Sequence, residues 1–76
     1  MEITLLAFAQ ARQRLGFSDR TVTCEVGETP RELLRRVAPG VSVEGMRVAV
    51  DYEYASWDAP IGGARELAVI PPVSGG

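Results

Sequence analysis

The group in this sequence best suited to covalent chemistry is a terminal α-carboxylate, which closes the segment Pro71-Pro72-Val73-Ser74-Gly75-Gly76. Neither glycine carries a Cβ, so this end can enter a slot too narrow for any other residue. The two prolines cannot extend a strand ladder, because each lacks an N–H and has a fixed φ. The sequence predicts an extended, flexible tail over residues 71–76, whose last four residues span about 13–14 Å and can reach another protein's active site. A merely frayed, Gly-rich terminus is the alternative.

The other residue types limit the chemistry that the chain itself supplies. All 8 basic residues are arginines, and there is no histidine. This excludes an imidazole base, a lysine Schiff base and a His-rich metal site. Asp51 and Glu53 are oxygen donors, but two acids in a turn are usually solvated, so we expect no bound metal. The arginines are scattered among 10 acidic residues without a basic stripe, so nucleic-acid binding is not expected.

Length and composition predict one small globular domain. The chain has 76 residues, of which 46% are apolar, and no apolar run is long enough for a membrane helix. No basic segment precedes an apolar stretch at the start, so no secretory signal is expected. The single cysteine, Cys24, fits a reducing compartment, and we expect a cytoplasmic protein. Cys24 alternates with Val22 and Val26, which favours a buried apolar role over a reactive thiol.

Hydrophobic periodicity and turn residues define the elements. The pattern predicts strands over residues 2–8, 21–26, 46–50, 53–55 and 65–70, and helices over 9–15 and 30–38. Gly16 ends the first helix. Thr29, Pro30 and Glu32 form a capping box with proline at the first helical position of the second helix. Its apolar stripe comprises Leu33, Leu34, Val37 and Ala38.

This order of elements predicts an α+β fold, with one mixed sheet packed on one main helix and a short helix after the first strand. It resembles the ubiquitin-like β-grasp, in which the first and last strands are parallel neighbours. We expect residues 1–70 to form this domain and residues 71–76 to form the tail.

A second candidate site is the face of the sheet turned away from the main helix. If Leu5 and Leu67 face the helix, the side chains that face outward are Leu6, Phe8, Ala68 and Ile70. A solvated sheet face normally carries polar residues, and an exposed apolar patch usually marks a partner surface. Tyr54 and Trp57 are candidates to extend it. The alternatives are that the short helix covers Leu6 and Phe8, and that Trp57 is a partly buried loop anchor.

Several motifs together are typical of one family: Phe8-Ala9-Gln10-Ala11-Arg12, Leu15-Gly16, Ala49-Val50, Asp58-Ala59-Pro60-Ile61, Glu66-Leu67-Ala68-Val69-Ile70 and Pro71-Pro72-Val73-Ser74-Gly75-Gly76. Along its whole length the chain resembles the small subunit of molybdopterin synthase, a sulfur carrier with a ubiquitin-like fold. The chain departs from the family at Asp51, where the family commonly has asparagine. It also departs at Ala64-Arg65, where the family usually has an acidic turn.

The resemblance implies that a ubiquitin-activating-type adenylyltransferase uses ATP to form a transient adenylate at Gly76, with no cofactor held by the chain. A sulfur donor then displaces AMP and leaves a thiocarboxylate. The tail inserts into a large synthase subunit, within a heterotetramer, and gives its sulfur to a pterin precursor. Gly76 is then the covalent site, and Pro71 and Pro72 stiffen the arm. The chain is the sulfur-donor subunit of a transferase, without an acid or base of its own.

Two other functions fit the same sequence. One is sulfur transfer in thiamine or cysteine synthesis, although thiamine carriers are usually shorter and lack the helix over residues 9–15. The other is a non-catalytic β-grasp interaction module.

Overall fold

The computed structural model describes residues 1–72. Within them the chain forms, in order, β1 (Glu2–Ala7), α1 (Ala9–Leu15), β2 (Asp19–Thr23), α2 (Pro30–Val37), β3 (Arg47–Val50), β4 (Glu53–Ala55) and β5 (Glu66–Ile70). The elements follow one another in the order that the amino-acid sequence predicts. No helix in this part of the chain is long and apolar enough to span a membrane.

The described strands form one sheet in the order β2-β1-β5-β3-β4. The first and last strands, β1 and β5, are parallel neighbours, with Leu5 opposite Leu67. The remaining pairs are antiparallel. The predicted mixed sheet and its central parallel pair are therefore confirmed.

The core lies between one face of this sheet and α2. The strands contribute Ile3, Leu5, Ala7, Val48, Leu67 and Val69, each at most 3% exposed. Helix α2 adds Leu33 and Leu34 to the same cluster. Side chains alternate between the two faces of a strand, so burial of this set forces the intervening residues to the other face.

Helix α2 begins as its sequence predicts. The backbone N–H of Glu32 donates to Thr29 Oγ1 at 3.2 Å, and the backbone N–H of Thr29 donates to Glu32 Oε1 at 3.0 Å. Pro30 occupies the first turn, where its missing N–H has no intrahelical partner to lose. This reciprocal capping satisfies two backbone donors and fixes where the helix starts.

The prediction for the second strand is wrong in its bounds. Strand β2 starts at Asp19 and ends at Thr23, before the expected Val26. A turn follows, in which Gly27 has φ +79° and the N–H of Glu28 donates to the carbonyl of Glu25 at 3.1 Å. This turn leaves Val26 fully exposed, whereas Cys24 is buried as predicted. Val26 continues the apolar alternation of Val22 and Cys24, so the pattern alone does not mark where the turn begins.

Arg36, near the end of α2, ties the helix to the segment after β2. Its guanidinium donates to Glu28 Oε1 at 2.9 Å and to Glu28 Oε2 at 3.0 Å, and also to the carbonyl of Thr23. The hydrogen bond from Arg36 lowers the pKa of the Glu28 carboxyl. This interaction holds the edge strand of the sheet against the helix.

Replacing Leu5 by alanine should destabilise the domain far more than the same change at its neighbour Leu6. Leu5 is fully buried in the core, and such a truncation typically costs about 2–5 kcal/mol. Leu6 is only partly buried on the opposite face, so its loss should cost about 1 kcal/mol or less. Urea unfolding of Leu5→Ala and Leu6→Ala measures the difference. Equal losses of unfolding free energy would contradict the assignment of Leu5 and Leu6 to opposite faces of β1.

The Arg36–Glu28 pair should make stability depend on acid pH. The pKa of Glu28 is lowered in the folded chain, so its stabilising contribution is complete above the unfolded pKa of about 4.3 and is lost as pH falls through the folded value. Between about pH 6 and about pH 3, Glu28→Gln should therefore lose less folding free energy than the unaltered chain. Urea midpoints at each pH test this. The same loss in both proteins would rule out the pair as a source of acid sensitivity.

Candidate functional site

The outward face of the sheet carries an apolar groove. The strand registers place four side chains in one row across β1, β5, β3 and β4: Leu6, Ala68, Ala49 and Tyr54. Two small alanines at the centre leave a depression between larger side chains. The groove has a volume of about 320 Å³ and is lined by Leu6, Phe8, Ala49, Tyr52, Tyr54, Glu66, Ala68 and Ile70.

All five predicted interface residues line this groove: Leu6, Phe8, Tyr54, Ala68 and Ile70. The predicted alternative, that α1 covers Leu6 and Phe8, does not hold. Helix α1 directs Ala11 into the core, and Phe8 remains 50% exposed. The structure thus brings these side chains together on an open surface, and their role in binding stays a prediction.

Trp57 does not extend the groove. Its indole N–H donates to the carbonyl of Met46 at 2.9 Å, and its ring packs against the core. The backbone carbonyl of Trp57 accepts from the N–H of Arg31 in the first turn of α2. Of the two roles considered from the sequence, the structure supports the loop anchor.

Tyr52 is a groove residue that the sequence analysis did not identify. It lies with Asp51 in the two-residue connection between β3 and β4, with φ values of +72° and +48°. Positive φ at both central residues is typical of a type I′ hairpin turn, which usually carries Asn-Gly or Asp-Gly. Tyr52 is nevertheless 89% exposed and lines the groove. The two-residue spacing between predicted strands was the available signal.

Asp51 fastens this turn to the start of β5. Its Oδ1 accepts hydrogen bonds from the backbone N–H groups of Arg65 and Glu66, each at 3.0 Å, and its own N–H donates to the carbonyl of Glu66 at 3.0 Å. The carboxylate that was considered as a metal ligand is thus used in backbone contacts. Residues 1–72 contain no group of three potential ligands placed to hold a metal ion.

Arg47 contributes a positive charge close to the groove. Its guanidinium carbon lies 5.4 Å from the centre of the Tyr54 ring, a distance at which the ring face attracts a cation. Arg47 also lies opposite Ile70, the last residue of β5. The charge is therefore at the end of the groove nearest the predicted tail.

The start of the tail is fixed by the sheet. Strand β5 ends at Ile70, and neither Pro71 nor Pro72 continues it. Pro72 is exposed and lies beside Gly45, where an added Cβ would come within 4.0 Å of its Cγ. Residues 73–76, which include the predicted tail residues Val73, Ser74 and Gly75 and the predicted covalent site Gly76, lie outside the described residues.

Cys24 has the environment of a core residue. It is 3% exposed, and burial, with the nearby charge of Glu28, raises the pKa of its thiol. A raised pKa reduces the thiolate fraction that nucleophilic chemistry requires. The predicted buried apolar role is confirmed.

Comparisons with known proteins agree with this geometry. The ThiS family model matches residues 5–76. The molybdopterin synthase sulfur carrier subunit of Arabidopsis thaliana is 37% identical over 81 residues, covering 100% of this chain and 84% of that protein. SAMP1 from Haloferax volcanii superposes with a TM-score of 0.75 at 21% identity over 100% of both chains. A Pyrococcus furiosus protein, provisionally assigned as molybdopterin converting factor subunit 1, gives a TM-score of 0.69 at 21% identity, covering 96% of this chain and 99% of its own.

The structural likenesses define the class as a ubiquitin-like β-grasp protein, as the sequence predicted. The family match, together with the full-length similarity to the Arabidopsis thaliana subunit, then identifies the chain more closely. The chain belongs to the ThiS family.

Placing a carboxylate in the groove should weaken partner binding more than it weakens the fold. Phe8 is 50% exposed, so Phe8→Asp removes little core packing but puts a charge where an apolar contact would form. Ile70→Asp makes the same change at the end of the groove nearest the predicted tail. We expect each to lower the affinity for a partner protein that binds this face by about tenfold or more, measured by calorimetry.

Val26→Asp is the matched control, because Val26 is an exposed apolar residue outside the groove. It should bind like the unaltered chain. If Phe8→Asp lowers the melting temperature strongly while affinity is unchanged, Phe8 belongs to the fold and not to the interface.

Proposed function

We propose that this protein is a sulfur carrier that acts as the small subunit of molybdopterin synthase in molybdenum cofactor biosynthesis. The observation that carries the proposal is the full-length, 37% identity to a molybdopterin synthase sulfur carrier subunit. The geometry supports it because the apolar groove lies on β5, the strand that leads directly into Pro71 and Pro72. A partner seated on the groove would lie next to the beginning of the tail.

The proposed chemistry begins with the carboxylate of Gly76. A carboxylate resists nucleophiles because of its charge, so an adenylyltransferase of the ubiquitin-activating type joins one carboxylate oxygen to the α-phosphorus of ATP and releases pyrophosphate. Sulfide, supplied by a sulfur donor, then attacks the carbonyl carbon, the bond to AMP breaks, and a thiocarboxylate remains. The chain binds no cofactor of its own in this scheme, and ATP contributes only the transient adenylate.

The thiocarboxylate sulfur is a soft, polarisable nucleophile. In the proposed complex the tail enters the large subunit, and the sulfur is transferred to a pterin precursor. The sequence contains no histidine and no lysine, so the acid and base for this transfer come from the large subunit. The proposed assembly is a heterotetramer of two small and two large subunits.

The tail residues have distinct parts in this proposal. Pro71 and Pro72 restrict the backbone before the partner binds, which reduces the entropy lost on insertion. Val73 and Ser74 extend the arm. Gly75 lets its backbone pass close to the walls of the partner's active site, since it has no side chain.

Sulfur transfer in thiamine or cysteine synthesis uses the same carrier chemistry and is the second candidate. The ThiS family match fits it equally well. Two observations favour the molybdopterin pathway: the Arabidopsis thaliana relative, and helix α1 at Ala9–Leu15, which thiamine carriers usually lack.

Incubation with the activating enzyme, ATP and sulfide should increase the intact mass by the difference between one sulfur and one oxygen. Deletion of Gly76 should abolish both this mass increase and sulfur transfer to the pterin. The terminal carboxylate would then be that of Gly75, and the tail would be one residue too short to place it at the ATP in the activating enzyme. Gly76→Ala should reduce the rate of thiocarboxylate formation, because the added methyl group leaves less space between the tail and the walls of the activating enzyme's site. Intact-mass spectrometry and product formation measure these effects.

The unfolding midpoint of the deletion variant serves as the control and should be unchanged. Unimpaired sulfur transfer without Gly76 would exclude it as the covalent site. No mass increase in the unaltered chain would favour a β-grasp module that only binds a partner.

A further inference from the structure

Backbone strain in this protein is concentrated beside the groove. Within residues 1–72, the non-glycine residues with positive φ are Ala9, Asp51 and Tyr52. Ala9 directly follows the groove residue Phe8, and the other two form the turn at the opposite side. Such conformations are costly for residues with a Cβ and tend to persist where function requires them.

The strain at Tyr52 has no evident benefit within the domain. Glycine would adopt φ +72° without cost, and it is the usual residue in such turns. The tyrosine ring contributes little packing, because the residue is 89% exposed. The backbone contacts that hold the turn come from Asp51, not from the ring of Tyr52. A bulky aromatic in this position therefore needs an explanation outside the isolated chain.

We propose that Tyr52 is an aromatic anchor that contacts the large synthase subunit. This inference rests on the proposed function and names a residue of the same surface. Tyr52 and Phe8 flank an apolar segment of the partner, which sits on Ala49 and Ala68. The carboxylate of Glu66, which also lines the groove, accepts a basic group of the partner.

The shape of the groove supports an apolar segment of the partner as its occupant. Leu6 on β1 and Tyr54 on β4 lie three strand spacings apart, or about 14 Å at roughly 4.8 Å per spacing. The floor consists of Ala49 and Ala68, which offer no hydrogen-bonding side chain. Tyrosine is enriched among interface residues that dominate binding energy, because a rigid ring loses little entropy when it is buried.

The charges at the groove give the contact a direction. Glu66 is the acidic residue among those that line it, and Arg47 stacks on Tyr54 at the tail end. A partner with a basic group facing Glu66 and an acidic group facing Arg47 would dock in one orientation only. That orientation is fixed relative to the end of β5 at Ile70, where the predicted tail begins.

The test is Tyr52→Gly, because a residue that anchors a partner and a residue that stabilises the fold should respond to this change in opposite ways. We expect the unfolding midpoint in urea to be unchanged or higher, since glycine relieves the positive φ. We expect affinity for the purified large subunit, measured by calorimetry, to fall about tenfold or more. Tyr52→Phe keeps the ring and should bind within about threefold of the unaltered chain. Glu66→Gln should weaken the salt dependence of binding.

Val26→Gly is the control for removing an exposed apolar side chain elsewhere, and its affinity should not change. Unchanged affinity of Tyr52→Gly would overturn the anchor role and leave the synthase partnership standing. A clear fall in its unfolding midpoint would also overturn it, because the ring would then serve the fold. If the unaltered chain does not bind the large subunit, the proposed partnership is wrong and the anchor role falls with it.

Discussion

The parallel pairing of β1 with β5 is the constraint on which the rest of the structure depends. Leu5 and Leu67 lie side by side on the core face, and the next residues along, Leu6 and Ala68, lie side by side on the other. A shift of either strand by one residue would exchange the two faces. Hydrophobic burial under α2 therefore fixes both the core and the outward groove, and the same strand then delivers the chain to Pro71.

Period-2 alternation and helix signals made much of this predictable. The residues of β1 and β5 separated cleanly into inward and outward sets, and the capping box at Thr29 located the start of α2. The end of β2 was not predictable in this way, because Val26 continues the alternation although a turn has already removed it from the sheet. Local apolar patterns do not record where a turn interrupts the ladder.

Tyr52 shows a second limit of sequence reasoning. A tyrosine between two short strands gives no sign of positive φ, because the residues that favour this conformation are glycine, asparagine and aspartate. Its place in the groove depends on the pairing of β4 with β3, a contact between neighbours that the sequence suggested without fixing its register. Conversely, the sequence allows Trp57 to be either a surface aromatic or a loop anchor. The hydrogen bond from its indole N–H to the carbonyl of Met46 distinguishes the two roles, and it depends on the fold.

The contacts of Asp51 join the turn between β3 and β4 to the start of β5. One carboxylate oxygen holds both the hairpin that presents Tyr52 and the first residues of β5. Any movement of that turn would therefore shift the groove and the start of β5 together. In the proposed complex, the position of Tyr52 and the direction in which β5 leads toward Pro71 would both depend on this single side chain.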